Sequence, residues 1–111
     1  MNVSISQYQH VAVLTVKDEL TGEAVEVFNA EAAKCLDQGN FNILVDCTHT
    51  KALDSAALEA WLDLQNKCED QLGSVKLCGL DATCAKILEI TRLARRFEVF
   101  EDLESAVKSF G

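Results

Sequence analysis

Apolar positions in this chain fall into two patterns, and together they predict strands alternating with helices. Short runs rich in branched or continuously apolar residues predict strands. These runs lie at 3–6, 11–16, 41–47, 75–80 and 98–100. The run 41–47 is almost continuously apolar at its centre, as expected for a strand covered on both faces, and should lie in the middle of the sheet. The run 3–6 alternates apolar and polar residues and should pair at an edge.

Apolar residues at steps of three and four predict four helices. Each follows a residue able to cap its free amides, in chain order Thr21, Asp54, Asp81 and Asp102. We expect the first helix to run from Gly22 to about Asp37 and the second to end at Gly73. The second should bury Leu58, Trp61, Leu62, Cys68 and Leu72, and the third should bury Ile87, Ile90, Ala94 and Phe97.

The order of these elements predicts the fold class. Two strands are followed by alternating helices and strands with short connections, which builds a largely parallel sheet with right-handed crossovers. At 111 residues the chain has the length of one domain. We therefore predict a single α/β domain over residues 1–111, with a mostly parallel central sheet of four or five strands and about four helices.

Charge narrows the possible partners. The formal net charge of -8 opposes phosphate backbones, and the only basic cluster, Arg92, Arg95 and Arg96, is typical of a solvated helix face, so we expect no nucleic-acid binding.

No uncharged apolar run approaches the roughly 20 residues that span a bilayer. Five cysteines without a C-x-x-C pair indicate reduced thiols, and we expect a cytoplasmic protein that does not span a membrane.

Candidate catalytic and metal-binding groups do not converge in the sequence. His10 falls at a strand start and His49 in a predicted loop at 48–53. Cys47 lies two residues from His49, but a structural zinc needs about four ligands and no second pair follows at the usual spacing. The glycines form no phosphate-binding motif. We therefore expect no metal, no cofactor and no enzymatic activity.

The segment 54–58 (DSAAL) stands where a central strand leads into a helix. Exposed helix starts beside the carboxyl edge of a parallel sheet are common binding places, because amides and loops converge there. Spacing alone leaves a plain alternative open, in which Asp54 is only an N-cap and Ser55 only fills the first turn.

Three stretches give the chain a resemblance to the STAS domain, a family named for sulphate transporters and anti-sigma factor antagonists. They are residues 13–20 (VLTVKDEL), 43–46 (ILVD) followed by 54–58 (DSAAL), and 87–93 (ILEITRL). In anti-sigma factor antagonists the second stretch usually reads Asp-Ser-Ser/Thr-Gly-Leu, and its second hydroxyl is phosphorylated. Here Ala56 stands at the acceptor position and Ala57 at the glycine.

The resemblance implies a non-enzymatic regulatory module that docks an anti-sigma factor or a related ATPase-type protein kinase. It places partner contacts at Thr48, His49, Thr50, Asp54, Ser55, Ala56, Ala57 and Leu58, with Ser55 as the candidate phosphorylation site. A phosphate there would add a charge of about -1.5 to -2 and disfavour docking. The alternative is the STAS subunit of a bacterial lipid-transport ABC complex, which binds the ATPase subunit and needs no phosphorylated serine.

Overall fold

Five strands form one sheet in the computed structural model, which describes residues 2–111. The strands are β1 (Val3–Tyr8), β2 (Val11–Leu20), β3 (Asn42–Leu53), β4 (Ser74–Cys78) and β5 (Glu98–Phe100). The helices are α1 (Glu23–Asp37), α2 (Ser55–Asp70), α3 (Ala82–Ile90) and α4 (Leu103–Ser109), with a short 3-10 turn at Leu93–Arg96. The strands follow chain order across the sheet; β1 is antiparallel to β2 and the other pairs are parallel. The predicted α/β class is confirmed, with β3 in the middle.

Alternation along the strands gives the sheet two buried faces of unequal size. The larger face packs against α1, α2 and α3, and its core contains Phe28, Ile43 and Trp61. The smaller face packs against α4 around Leu44 and Ala106. Because both faces are covered, the middle of β3 is apolar at successive positions, which explains the pattern of the sequence.

The start of α1 differs from the prediction. The helix begins at Glu23, and its N-cap residue is Gly22 rather than the predicted Thr21. No side chain at the N-cap position makes a capping hydrogen bond, so the predicted Thr21 cap is wrong. Gly22 takes a positive φ of 50°, a conformation that glycine adopts without a steric penalty. Its amide is instead bound by the Asp54 carboxylate, 32 residues along the chain.

The end of α2 also differs. The helix ends at Asp70, and Leu72 is 98% exposed, so its predicted place on the apolar face is wrong. Leu72 itself takes the left-handed turn, with φ 65°. Gly73 is needed for a different reason: a Cβ there would collide with the backbone of Phe41. The glycine allows a close approach between two segments that lead into β3 and β4.

The predicted apolar side of the third helix is confirmed at Ile87 and Phe97, which pack in the core, and is wrong at Ile90 and Ala94. The helix ends at Ile90, and Arg92 takes a left-handed conformation with φ 65°. Ile90 and Ala94 are exposed, whereas Cys84 and Leu88 carry the buried side of α3. Ile90 lies two positions beyond Leu88 and therefore points away from the buried side. The left-handed Arg92 and the 3-10 turn then take Ala94 out of the 3.6-residue pattern.

Candidate partner-binding site

The segment predicted as a loop at 48–53 is part of strand β3, so that prediction is wrong. β2 and β3 both extend beyond the centre of the sheet and pair in parallel as far as Leu20 opposite Leu53. Two register shifts interrupt this pairing, one of them beside Asp18, whose φ is 64°. Such bulges let a polar sequence remain paired while its side chains change face. The predicted docking loop is therefore the end of a strand that remains paired with β2.

Bonds to the backbone and to Asp46 order the threonines of this strand. The Thr48 hydroxyl donates to Asp46 Oδ1 at 2.6 Å, and the Thr48 amide donates to the same oxygen at 3.1 Å. Thr50 is buried, and its hydroxyl donates to the Val16 carbonyl at 2.9 Å. Thr48 and His49 are exposed. Of these three predicted contact residues, Thr48 and His49 are therefore open to a partner, whereas the buried Thr50 holds their strand to β2.

Asp54 joins the starts of two helices. Its Oδ1 accepts from the Ala57 amide at 2.9 Å, which confirms the predicted cap of α2, and its Oδ2 accepts from the Gly22 amide at 3.1 Å. The Ala57 bond, followed by the Gly22 bond, lowers the pKa of the Asp54 carboxyl. The carboxylate is thus ionised and held between α1 and α2 at neutral pH.

The first turn of α2 has an exposed and a buried side. Ser55 and Ala56 are exposed, whereas Ala57 is fully buried and Leu58 is 8% exposed. Ser55 carries the only hydroxyl in residues 55–58. A partner that approaches this turn can therefore touch Ser55 and Ala56, while Ala57 and Leu58 fix the turn against the core.

An open groove of about 510 Å³ begins beside Ala56 and runs between α1 and α2. Its walls include Ala33 and Leu36 of α1 and Glu59 of α2. Sequence reasoning did not single out this groove. The signal was present as alanines on the facing sides of both helices, where small side chains leave space between the two backbones.

A shallower depression of about 330 Å³ lies along the extended part of β2 and β3. It is lined by Lys17, Asp18, His49 and Lys51, so charges of both signs meet there. His49, which the sequence placed among the contact residues, is thus surrounded by charged neighbours. The sequence did not predict these neighbours, because the pairing that aligns Lys17 with His49 depends on the bulges.

All five cysteines are free thiols and buried. Burial raises the pKa of Cys78 to about 12 and those of Cys68 and Cys84 to about 11, and it also raises the pKa values of Cys35 and Cys47. A thiol with a raised pKa is a poor nucleophile near neutral pH. We therefore interpret the five cysteines as residues that fill the interior of the fold.

Residues 2–111 contain neither a cluster of metal-ligating side chains nor a membrane-spanning helix. Histidine, cysteine, aspartate and glutamate side chains in this range form no group of three that could hold a metal ion. No helix in the same range has the length and apolar character needed to cross a membrane.

Comparisons with known proteins agree with this architecture. The family model of the STAS domain matches residues 2–106. No curated protein sequence matches the chain. A proposed anti-sigma factor antagonist from Thermotoga maritima superposes with a TM-score of 0.91 at 17% identity, covering 97% of this chain and 93% of its own.

Two further solved structures bear on the same fold. An anti-sigma factor antagonist from Mycobacterium paratuberculosis superposes with a TM-score of 0.88 at 14% identity, covering 97% of this chain and 92% of its own. The Bacillus cell fate determinant SpoIIAA in its phosphorylated form gives 0.77 at 19% identity, covering 96% and 97%. At such low sequence identities, these superpositions show that the fold is shared and nothing more.

Proposed function

We propose a function for this chain from its family, the STAS domain family, to which it belongs. It is a non-enzymatic regulatory module that works by docking a partner protein in the cytoplasm. Its docking surface consists of the exposed residues Thr48, His49, Ser55 and Ala56. The proposed partner is an anti-sigma factor or a related ATPase-type protein kinase. Structural relatives described as anti-sigma factor antagonists support this choice.

The observation that carries the proposal is the exposed turn Ser55–Ala56 held in place by Asp54. The two carboxylate oxygens of Asp54 bind amides at the starts of two different helices, so the turn cannot shift without breaking a bond to α1. A surface that is ordered before binding loses less conformational entropy when it docks. This arrangement goes beyond what a simple N-cap requires, since one oxygen suffices for the cap.

Ser55 is the proposed site of regulation. Ala56 has no hydroxyl to modify, and Ser55 is exposed beside an ionised carboxylate. A phosphate on Ser55 would add a charge of about -1.5 to -2 next to Asp54 and so repel an acidic or closely packed partner surface. The phosphorylated form of SpoIIAA provides a precedent for modification within this fold.

Affinity capture from the native lysate tests the surface. The tagged wild type is compared with Ala56→Arg, with partners identified by mass spectrometry. Ala57 is unsuitable for this test, because an arginine at that buried position would disrupt the fold. Ala30→Arg, on an exposed position of α1 outside the docking surface, is the matched control. We expect Ala56→Arg alone to lose an anti-sigma factor or kinase-type ATPase.

The identity of the captured protein and a second variant decide the rest. An ABC-transporter ATPase lost by Ala56→Arg would replace the proposed partner with the lipid-transport alternative. A partner retained by Ala56→Arg would contradict the docking surface. Ser55→Glu should reduce recovery about tenfold or more if the charge switch operates, whereas Ser55→Ala should not. Equal recovery by both serine variants would contradict the regulatory role of Ser55.

A further inference from the structure

The free edge of the sheet at β1 lacks the usual protection against pairing with another strand. Natural edges are blunted by charged side chains, proline, bulges or short length. β1 has six residues, pairs with β2 without a register shift, and lies in a stretch where the first charged residue is Lys17. Five of its six residues are exposed, including Ile5 at 39% and Tyr8 at 44%.

The opposite edge of the sheet is different. β5 has only three residues, and Glu98 on it is paired with Lys76 at 3.4 Å. Glu101 follows directly and is exposed. Short length and charge protect this edge from further pairing. The contrast identifies β1 as the edge that remains open.

Hydrogen bonding fixes which backbone groups of β1 face outward. The Lys17 amide donates to the Asn2 carbonyl at 2.8 Å, and these residues continue the register in which Val3 lies opposite Val16. Hydrogen-bonded and non-bonded pairs alternate in an antiparallel ladder, so the even residues of β1 bond to β2. The backbone amides and carbonyls of Val3, Ile5 and Gln7 therefore point to the open edge.

From this we infer that β1 pairs antiparallel with β1 of a second copy, forming a two-fold dimer through one continuous sheet. The occupant follows from charge: each copy carries -8, and an edge without charges is where two such copies meet with least repulsion. A two-fold axis places the same strand on both sides of the interface, so any charge on it would face a like charge. An uncharged strand avoids that repulsion.

The outward-facing residues also determine the register. They must lie opposite one another for their amides and carbonyls to bond. The register with the greatest overlap places Ile5 opposite Ile5 and Val3 opposite Gln7 across the axis. A strand of this length spans roughly 20 Å, and such an edge buries less than the roughly 1,200–2,000 Å² of a stable interface. We therefore expect a weak dimer that depends on concentration.

Sedimentation velocity of the whole chain over a wide concentration range tests the pairing. The wild type should shift from monomer towards dimer as concentration rises. Ile5→Lys places two lysines opposite each other and should raise the dimer dissociation constant about tenfold or more. Ile5→Glu should do the same, and an equimolar mixture of the two variants should associate more strongly than either alone. Ile90→Lys, on an exposed isoleucine of α3, should leave the dimer unchanged.

A proline variant tests the backbone bonds separately from charge. Gln7→Pro removes an outward-facing amide that makes no bond to β2, so it should weaken the dimer while the monomer stays folded by circular dichroism. A wild type that is monomeric throughout would overturn the inference. So would a dimer that survives both Ile5→Lys and Gln7→Pro, or no recovery in the lysine and glutamate mixture.

Discussion

Gly79 shows how closely the residues beneath the candidate site are packed. It takes φ 74°, and a Cβ there would lie 2.5 Å from Thr48 Oγ1 and 2.9 Å from the Thr48 Cα. Thr48 cannot move away easily, because two bonds hold it to Asp46. Because the side chain of Gly79 is only a hydrogen atom, β4 can end beside the exposed part of β3.

Gly79→Ala should destabilise the protein by more than about 2 kcal/mol, because it combines backbone strain with a collision against fixed backbone atoms. Urea unfolding measures the loss. Gly39→Ala is the matched control, since Gly39 has a similar φ of 78° but nothing within 4 Å of an added Cβ. That variant should lose only the strain, about 1–2 kcal/mol. Equal losses in the two variants would contradict the proposed collision.

At the scale of elements, three helices begin in the same way. Asp54, Asp81 and Asp102 each follow a strand and accept an amide from the first turn of α2, α3 and α4. All three caps were predicted from the sequence, because the preference of aspartate for this position is local. The bond at the start of α1 was not predicted, because the Gly22 amide is bound by Asp54, which is distant in sequence and caps α2.

The three caps should make stability sensitive to acid. Backbone hydrogen bonds lower the pKa of each capping carboxyl. A lowered folded pKa contributes stability above the ordinary aspartate pKa, and that contribution is lost as pH falls through the folded value. Asparagine caps well with its one amide oxygen and does not titrate, and Asp81 and Asp102 each cap through a single oxygen. At Asp54 it would set an NH2 group against the Gly22 amide, so that residue is left unchanged. The double variant Asp81→Asn, Asp102→Asn should lose less stability on acidification than the wild type. Urea midpoints at a series of acidic pH values measure this, and parallel curves would refute it.

Element boundaries mark the limit of what the sequence predicts here. The strand and helix order followed from apolar periods, but residues 48–53 read as a loop because bulges break the alternation that identifies a strand. The candidate site was located through the segment 54–58, a local motif. Which of its residues are exposed depends on packing: Ala56 and Ala57 are adjacent in sequence, and only the first reaches the surface.

For the molecule as a whole, the two faces of the sheet place all five thiols in the interior. Cys35, Cys47, Cys68 and Cys84 lie on the side of the sheet that carries α1, α2 and α3, and Cys78 lies beneath α4. Burial raises the pKa of every one of them, so little reactive thiolate is present at neutral pH. Their reactivity should therefore report on opening of the whole fold.

A disulfide reagent such as DTNB should modify the native protein slowly, with all five thiols reacting together at a rate that follows global unfolding. Destabilisation by Gly79→Ala should speed all five in parallel, because we expect the cores on the two faces of the sheet to unfold together. If one thiol reacted rapidly while the others stayed protected, that part of the molecule would open independently. Detachment of α4 would then be the first explanation to test, because α4 alone covers the smaller face, and Cys78 should be the thiol that reacts.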